Sequence, residues 1–333
     1  MHIPENYLSP QTCGVFDVVM VPIWAYAIKK VRDTVPREKM PLLGVAAAFC
    51  FLAMMFNIPL PGGTTGHAVC GTLIAILFGP WAAVIAVSIA LIIQAFFFGD
   101  GGILAIGANC FNMSFVLPFV GYYLYSFIKG DSTKLSRELV AAGVGSYVAL
   151  NVAALLCALE FGIQPALFSD AAGNALYCPY PISVAVPAMM LGHLTVAGIA
   201  EAIFTVAILA FVRQTSPSFG LANQVDAPKG AKALVPVLAL VAVLVIATPL
   251  GLIAEGDAWG EWSTEDISEM VGYTPAGMGN GWEWEAFFPD YSIGTMPDVA
   301  GYILSAVIGV ALLVIIFRLA AFAAKPSADF NRA

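Results

Sequence analysis

Nine stretches of this chain, residues 14–28, 42–60, 68–78, 81–98, 103–128, 139–159, 182–212, 234–254 and 299–317, are almost wholly apolar. Most approach or exceed the ~20 residues that carry a helix across a bilayer core. In hydrocarbon a spanning segment must satisfy its own backbone polar groups, so runs of this length predict transmembrane helices. The third run is the exception. Its length covers only about 17 Å at ~1.5 Å per residue, and it reads either as a short span beginning at His67 or as a re-entrant half helix. Of 333 residues, 60% are hydrophobic and 11% charged, against about 25% charged in soluble domains. A soluble enzyme, a nucleic-acid binder and a disordered scaffold are excluded.

The basic residues predict the topology. If all nine runs cross and the N-terminus lies outside, the inner segments hold Lys29, Lys30, Arg32, Arg37 and Lys39; Lys129, Lys134 and Arg137; Arg213, Lys229 and Lys232; and Arg318, Lys325 and Arg332. Those are all 14 basic residues, as the positive-inside tendency asks. Removing the third crossing places Lys129, Lys134 and Arg137 outside. The expectation is therefore an all-α integral membrane protein of the cell membrane, with about nine helices, N-out and C-in.

Residues 214–232 are polar and rich in Pro, Gly and Ser, which marks a cytoplasmic linker between a seven-helix body (1–213) and a two-helix tail (233–325). The external loop of the tail, residues 255–298, carries ten acidic residues and Trp259, Trp262, Trp282 and Trp284, with no basic residue. Its ordinary reading is a solvated loop with interfacial aromatics; a cation-attracting antechamber is the alternative. The first dozen residues lack the basic and apolar regions of a signal peptide, so the mature chain is expected to begin at Met1. The six cysteines form no CxxC pair and read as small core residues, with a Cys13–Cys178 bridge as an alternative.

Chemistry is sparse. There is no Gly-Lys dipeptide, hence no Walker A loop, and neither a G-x-S-x-G elbow nor an HExxH helix. Three histidines remain, His2, His67 and His193. A histidine at position two chelates without help from any fold. The α-amine of Met1, the deprotonated amide nitrogen of His2 and its imidazole close two fused rings on one ion and supply three coplanar nitrogens. Planar nitrogen sites suit Ni(II) and Cu(II). His67 is the other outer-loop histidine and offers a fourth corner. In PLPGGTTGHAVCG, Gly62 and Gly63 permit a tight backbone, while Thr64 and Thr65 offer orienting hydroxyls. The competing reading is that His67 only caps a helix start.

The sequence resembles the CbiM/NikM family, the substrate-specific S components of energy-coupling factor (ECF) transporters for nickel and cobalt. The resemblance rests on MHIPENYLSP at the N-terminus, PGGTTGH ending at His67, GPWAAV, FGDGGILAIGANCFNM and LGHLTVAGIAEAIFT, and spans roughly residues 1–211. It implies that the N-terminal segment inserts toward the body and that the metal sits between Met1, His2 and His67. The tail is similar to the NikN/CbiN accessory subunit, here fused, with GDAWGEW as the matching stretch. Asn6 departs from the family's MHIxxGxL pattern. The resemblance further implies a transmembrane coupling (T) component and cytoplasmic ATPase subunits as partners. It makes Asp100, Asn109 and Asn112 candidates for orienting the site; their ordinary readings are an external turn and interhelical hydrogen bonds.

His193 by itself reads as a packing histidine. Glu201 lies about 12 Å further along the same helix and some 80° around it, too deep to be a ligand, so both are assigned to structure or coupling. The series Ala82, Ala86, Ala90 is a ridge of small residues for a helix of this chain or of a partner. The resulting expectation is a non-enzymatic membrane subunit that captures Ni(II) or Co(II) outside through Met1, His2 and His67. Alternatives are a cobalt importer feeding cobalamin synthesis, and a membrane-embedded enzyme or assembly factor whose acidic loop binds a protein.

Overall fold

In sequence order the apolar runs become α1 (Pro10–Thr34), α2 (Arg37–Met55), α3 (Gly71–Phe78), α4 (Pro80–Phe98), α5 (Ile106–Lys129), α6 (Leu135–Leu167), α7 (Ile182–Thr215), α8 (Val235–Ile253) and α9 (Asp298–Ala323). This computed structural model describes residues 1–61, 63–221 and 231–323; Gly62, residues 222–230 of the expected linker and the last two residues of the expected tail lie outside the described residues. Eight of the helices are long and apolar enough to cross a membrane. The third run, which the sequence leaves as either a short span or a re-entrant half helix, forms α3, whose eight residues reach about 12 Å.

The shortening has a local cause. Pro59 and Pro61 cannot continue a helix, and Gly63 takes a φ of +78°. Residues Ile58–Leu60 (β1) and Thr64–Gly66 (β2) form an antiparallel hairpin instead, with Pro59 opposite Thr65. Cys70 is left-handed at φ 60°, and only then does α3 begin. Its far end meets the basic side of the protein: Leu221 N donates to Leu77 O at 2.8 Å, and Lys39 Nζ donates to Ser218 O at 2.6 Å.

Helix α2 is buried along nearly its whole length, consistent with a helix apolar on all sides. The Ala82, Ala86 and Ala90 ridge is also buried within this chain. Small residues let α9 of the tail approach α2. A Cβ at Gly44 would lie 2.9 Å from the Phe317 Cβ, and one at Gly309 would overlap the Phe51 ring. Tyr302 of α9 donates to Met55 O at 2.9 Å. All six cysteines are buried and free, so Cys13 and Cys178 are not bridged.

The acidic loop of the tail is not the solvated excursion its charge suggests. Thr65 N donates to Asp257 O at 3.2 Å, Phe288 N to Phe97 O at 2.7 Å and Gly277 N to Leu176 O at 2.7 Å. Trp259 and Trp262 pack with Phe161 and Tyr180 of the body, and Trp284 Nε1 donates to Phe96 O at 3.0 Å. Apolar aromatic area and backbone pairing together fold the loop onto the N-terminal end of the body.

Candidate metal centre

The N-terminal segment is threaded into the body. Asn109 clasps Ile3 in both directions: Ile3 N donates to Oδ1 at 2.8 Å and Nδ2 donates to Ile3 O at 3.0 Å. Gly102 N also donates to Ile3 O, at 2.8 Å. Only glycine fits there, because a Cβ would lie 2.7 Å from Glu5 N. Further along, Ile103 N donates to Glu5 Oε1 at 2.6 Å and Tyr7 OH to Trp262 O at 2.7 Å. Ser9 then caps α1 by accepting from Thr12 N. Asn6, the departure from MHIxxGxL, has φ 61°, a conformation that glycine and asparagine tolerate. Its amide donates to Trp282 O at 3.1 Å, which ties the substituted position to the tail.

This path buries Met1 and His2 to 3% and 2% exposure, beside His67 at 5%. His67 Nε2 lies 3.2 Å from His2 Nδ1. His67 Nδ1 is 3.2 Å from Ala68 O; a carbonyl only accepts, so Nδ1 carries the proton and Nε2 presents its lone pair to His2. Asp100 Oδ1 lies 2.9 Å from the same His2 Nδ1. Its Oδ2 accepts from Tyr291 OH at 2.6 Å and Gln94 Nε2 at 3.0 Å. The Met1 ammonium pairs with Glu261 Oε1 of the tail loop at 2.9 Å. A cavity of about 310 Å³ is bordered by His2, Thr65, His67, Asp100, Glu261 and Tyr291, among others.

The electrostatics follow the geometry. Burial, reinforced by the Met1 ammonium and His2, holds the His67 pKa well below the ordinary histidine value, so it is neutral, as a metal ligand must be. For the Met1 amine, burial is the largest single influence and pulls downward, but the Glu261 carboxylate together with Cys157 and Asp100 outweighs it, and the pKa is raised. Burial of Asp100 favours its neutral form, yet His2 and the hydrogen bonds hold its carboxyl below the usual carboxylate range.

Of the other sequence candidates, Asn109 is in place as the clasp on Ile3. Thr65 serves through its backbone, while Thr64 borders a smaller cavity of about 210 Å³ together with Met1, His193 and Trp259. Asn112 is not brought to the cluster; its amide donates to Glu160 Oε2 at 2.8 Å on α6. His193 makes an i−4 bond, Nδ1 to Met189 O at 2.8 Å. Glu201 reaches across from α7 to accept from Val69 N at 2.7 Å and Cys70 N at 2.9 Å. It places its carboxyl oxygens at the start of α3 and pins the two residues that follow Ala68. Sequence reasoning missed Glu261 and Tyr291. The acidic content of the loop was visible, but nothing local to the sequence distinguishes Glu261 from nine other acidic residues.

Residues 2–219 match the CbiM family model, described as the cobalt uptake substrate-specific transmembrane region, and residues 233–326 match the PDGLE domain. The chain is 43% identical over 326 residues to the probable fused nickel transport protein LarMN of Lactiplantibacillus plantarum, covering 96% of this chain and 97% of that one. It is 46% identical over 332 residues to the fused nickel transport protein NikMN of Rhodobacter capsulatus, covering 94% and 95%. A crystal structure of a truncated transition metal transporter superposes with a TM-score of 0.61 at 50% identity, over 64% of this chain and 99% of that chain.

Proposed function

This chain belongs to the CbiM family of cobalt uptake substrate-specific transmembrane proteins, with a CbiN-like PDGLE region behind it, and from that premise we propose that it captures nickel at the outer membrane face for inward transport. It is a multi-pass membrane protein of a metal transport family, not an enzyme. The ion is held by four nitrogens: the Met1 amine, the His2 amide, His2 Nδ1 and His67 Nε2. The observation that carries this is the 3.2 Å approach of His67 Nε2 to His2 Nδ1 in a buried site reached by the inserted N-terminus. Adjacent corners around an ion with bonds of about 2.0 Å lie roughly 2.8 Å apart, so a small contraction closes the pair on a metal. A planar set of this kind disfavours Zn(II), which prefers a tetrahedron.

In this reading residues 1–213 are the metal-binding body, 214–232 a cytoplasmic linker and 233–325 the accessory tail. The N-terminus is outside, and α3 completes a ninth, half-length crossing with the dipping hairpin before it. The contacts of Leu77 and Lys39 with residues 218–221 support that path. Energy for release comes from an ECF coupling component and its ATPases, since the chain has no phosphate loop. The description of the family as cobalt uptake proteins favours Co(II) as a second cargo. The test is metal analysis and absorption of the purified full chain loaded with each ion. Planar four-nitrogen Ni(II) is yellow and diamagnetic; a paramagnetic, octahedral nickel complex would refute the site.

A further inference from the structure

We propose that His2, Asp100 and Glu261 form an entry site that takes a divalent cation, still partly hydrated, before the four nitrogens close on it. The proposal rests on the metal-capture reading above and assigns a step to the tail. One ligand atom from each of the three side chains lies within 4.8 Å of the other two. They come from three separate segments: the inserted N-terminus, the turn after α4 and the tail loop. Asp100 is held by Tyr291 and Gln94 through Oδ2, which leaves Oδ1 for His2 and for an ion.

His2 is the pivot. Its Nδ1 faces Asp100 Oδ1 at 2.9 Å and His67 Nε2 at 3.2 Å. A single ring nitrogen therefore serves both the carboxylate side and the nitrogen side, and an ion held beside Asp100 is one ligand exchange from His67. The His2 Nε2 is buried and has no hydrogen-bond partner among the described residues, so no bond at the far side of the ring opposes its turning toward an ion.

The approach to this cluster is acidic. A cavity of about 530 Å³ bordered by Glu5, Asp257, Glu265, Asp266, Glu283 and Asp290 adjoins it and shares Glu261. No Lys or Arg borders either space among the described residues. Carboxylates with one imidazole suit a hard, hydrated divalent ion, whereas four nitrogens select the late transition metals. The two donor sets are thus matched to successive states of the same ion.

The test uses the full chain in detergent. Nickel is mixed rapidly with wild type, Asp100→Asn and Glu261→Gln, and the absorption of the four-nitrogen complex is followed. Each variant is expected to slow association about tenfold, within the range for removing a steering charge, while saturating nickel still reaches the wild-type spectrum. Mn(II), which favours oxygen donors, is expected to bind wild type by electron paramagnetic resonance, and about tenfold more weakly to the double variant. Unchanged nickel rates and unchanged Mn(II) binding overturn the proposal. A lost final spectrum in either variant also overturns it, because the carboxylate then belongs to the final site. If wild type never develops the nickel spectrum, the four-nitrogen reading fails, and Mn(II) binding still decides the entry site.

Discussion

His67 Nε2 lies 3.2 Å from His2 Nδ1 across 65 positions of sequence. Neither residue could find the other without two anchors. Asn109 holds the backbone of Ile3, one residue beyond His2. Glu201 holds the backbone of Val69, two residues beyond His67. The pairing of the imidazoles is set by hydrogen bonds to their neighbours' peptide groups.

The Met1 amine is paired with Glu261 inside a site where Met1 is almost fully buried. Adding one residue before Met1 moves the amine and removes the fused chelate rings. Nickel affinity, measured by isothermal titration, is expected to fall by more than about 100-fold, beyond the 10–100-fold typical of losing an outer partner. Normal binding by the extended chain rules out the amine as a ligand.

His67 and His193 are both buried, but only His67 faces His2, whereas His193 is bonded within its own helix. His67→Ala is expected to abolish the planar nickel spectrum, and His193→Ala to retain it with a change in affinity of less than about tenfold. Equal losses in the two variants would shift the site toward the smaller cavity beneath Met1.

Affinity should rise with pH. The amine has a raised pKa and stays protonated through neutrality, and the His2 amide also gives up a proton, whereas His67 is already neutral. Binding therefore releases two protons, and log affinity climbs by about two per pH unit below the amine pKa and about one above it. In Glu261→Gln the amine loses the charge that raises its pKa and keeps the burial that lowers it, so the bend moves to lower pH. Chelator competition across about pH 6.5 to 9 reads both profiles; a flat wild-type profile contradicts the amine and amide ligands.

Glu201 accepts from two consecutive backbone amides in a fully buried setting. Glu201→Ala leaves those donors unsatisfied, at about 1–3 kcal/mol each, and frees the segment after His67. Lower thermal stability in detergent and a roughly 10–100-fold weaker nickel affinity are expected, with Glu201→Gln intermediate in both. Wild-type affinity in Glu201→Ala would show that the α3 start does not position His67.

Part of this architecture is legible in the sequence. The eight long helices follow from apolar runs whose length alone answers to the bilayer, and the proposed Met1–His2 chelate rests on covalent connectivity within two residues. Their information is local, so the sequence by itself determined them. The turn of Asn112 toward Glu160 and the selection of Glu261 from ten acidic residues were decided by tertiary structure alone. Both depend on which distant segments the fold brings together: Glu160 reaches Asn112 from another helix, and backbone pairing such as Asp257 O receiving Thr65 N, which any residue can make whatever its side chain, carries Glu261 to the amine. The acidic loop shows the difference most plainly: its charge predicted solvent, and its peptide bonds and tryptophans folded it over the N-terminus, where one carboxylate meets the amine.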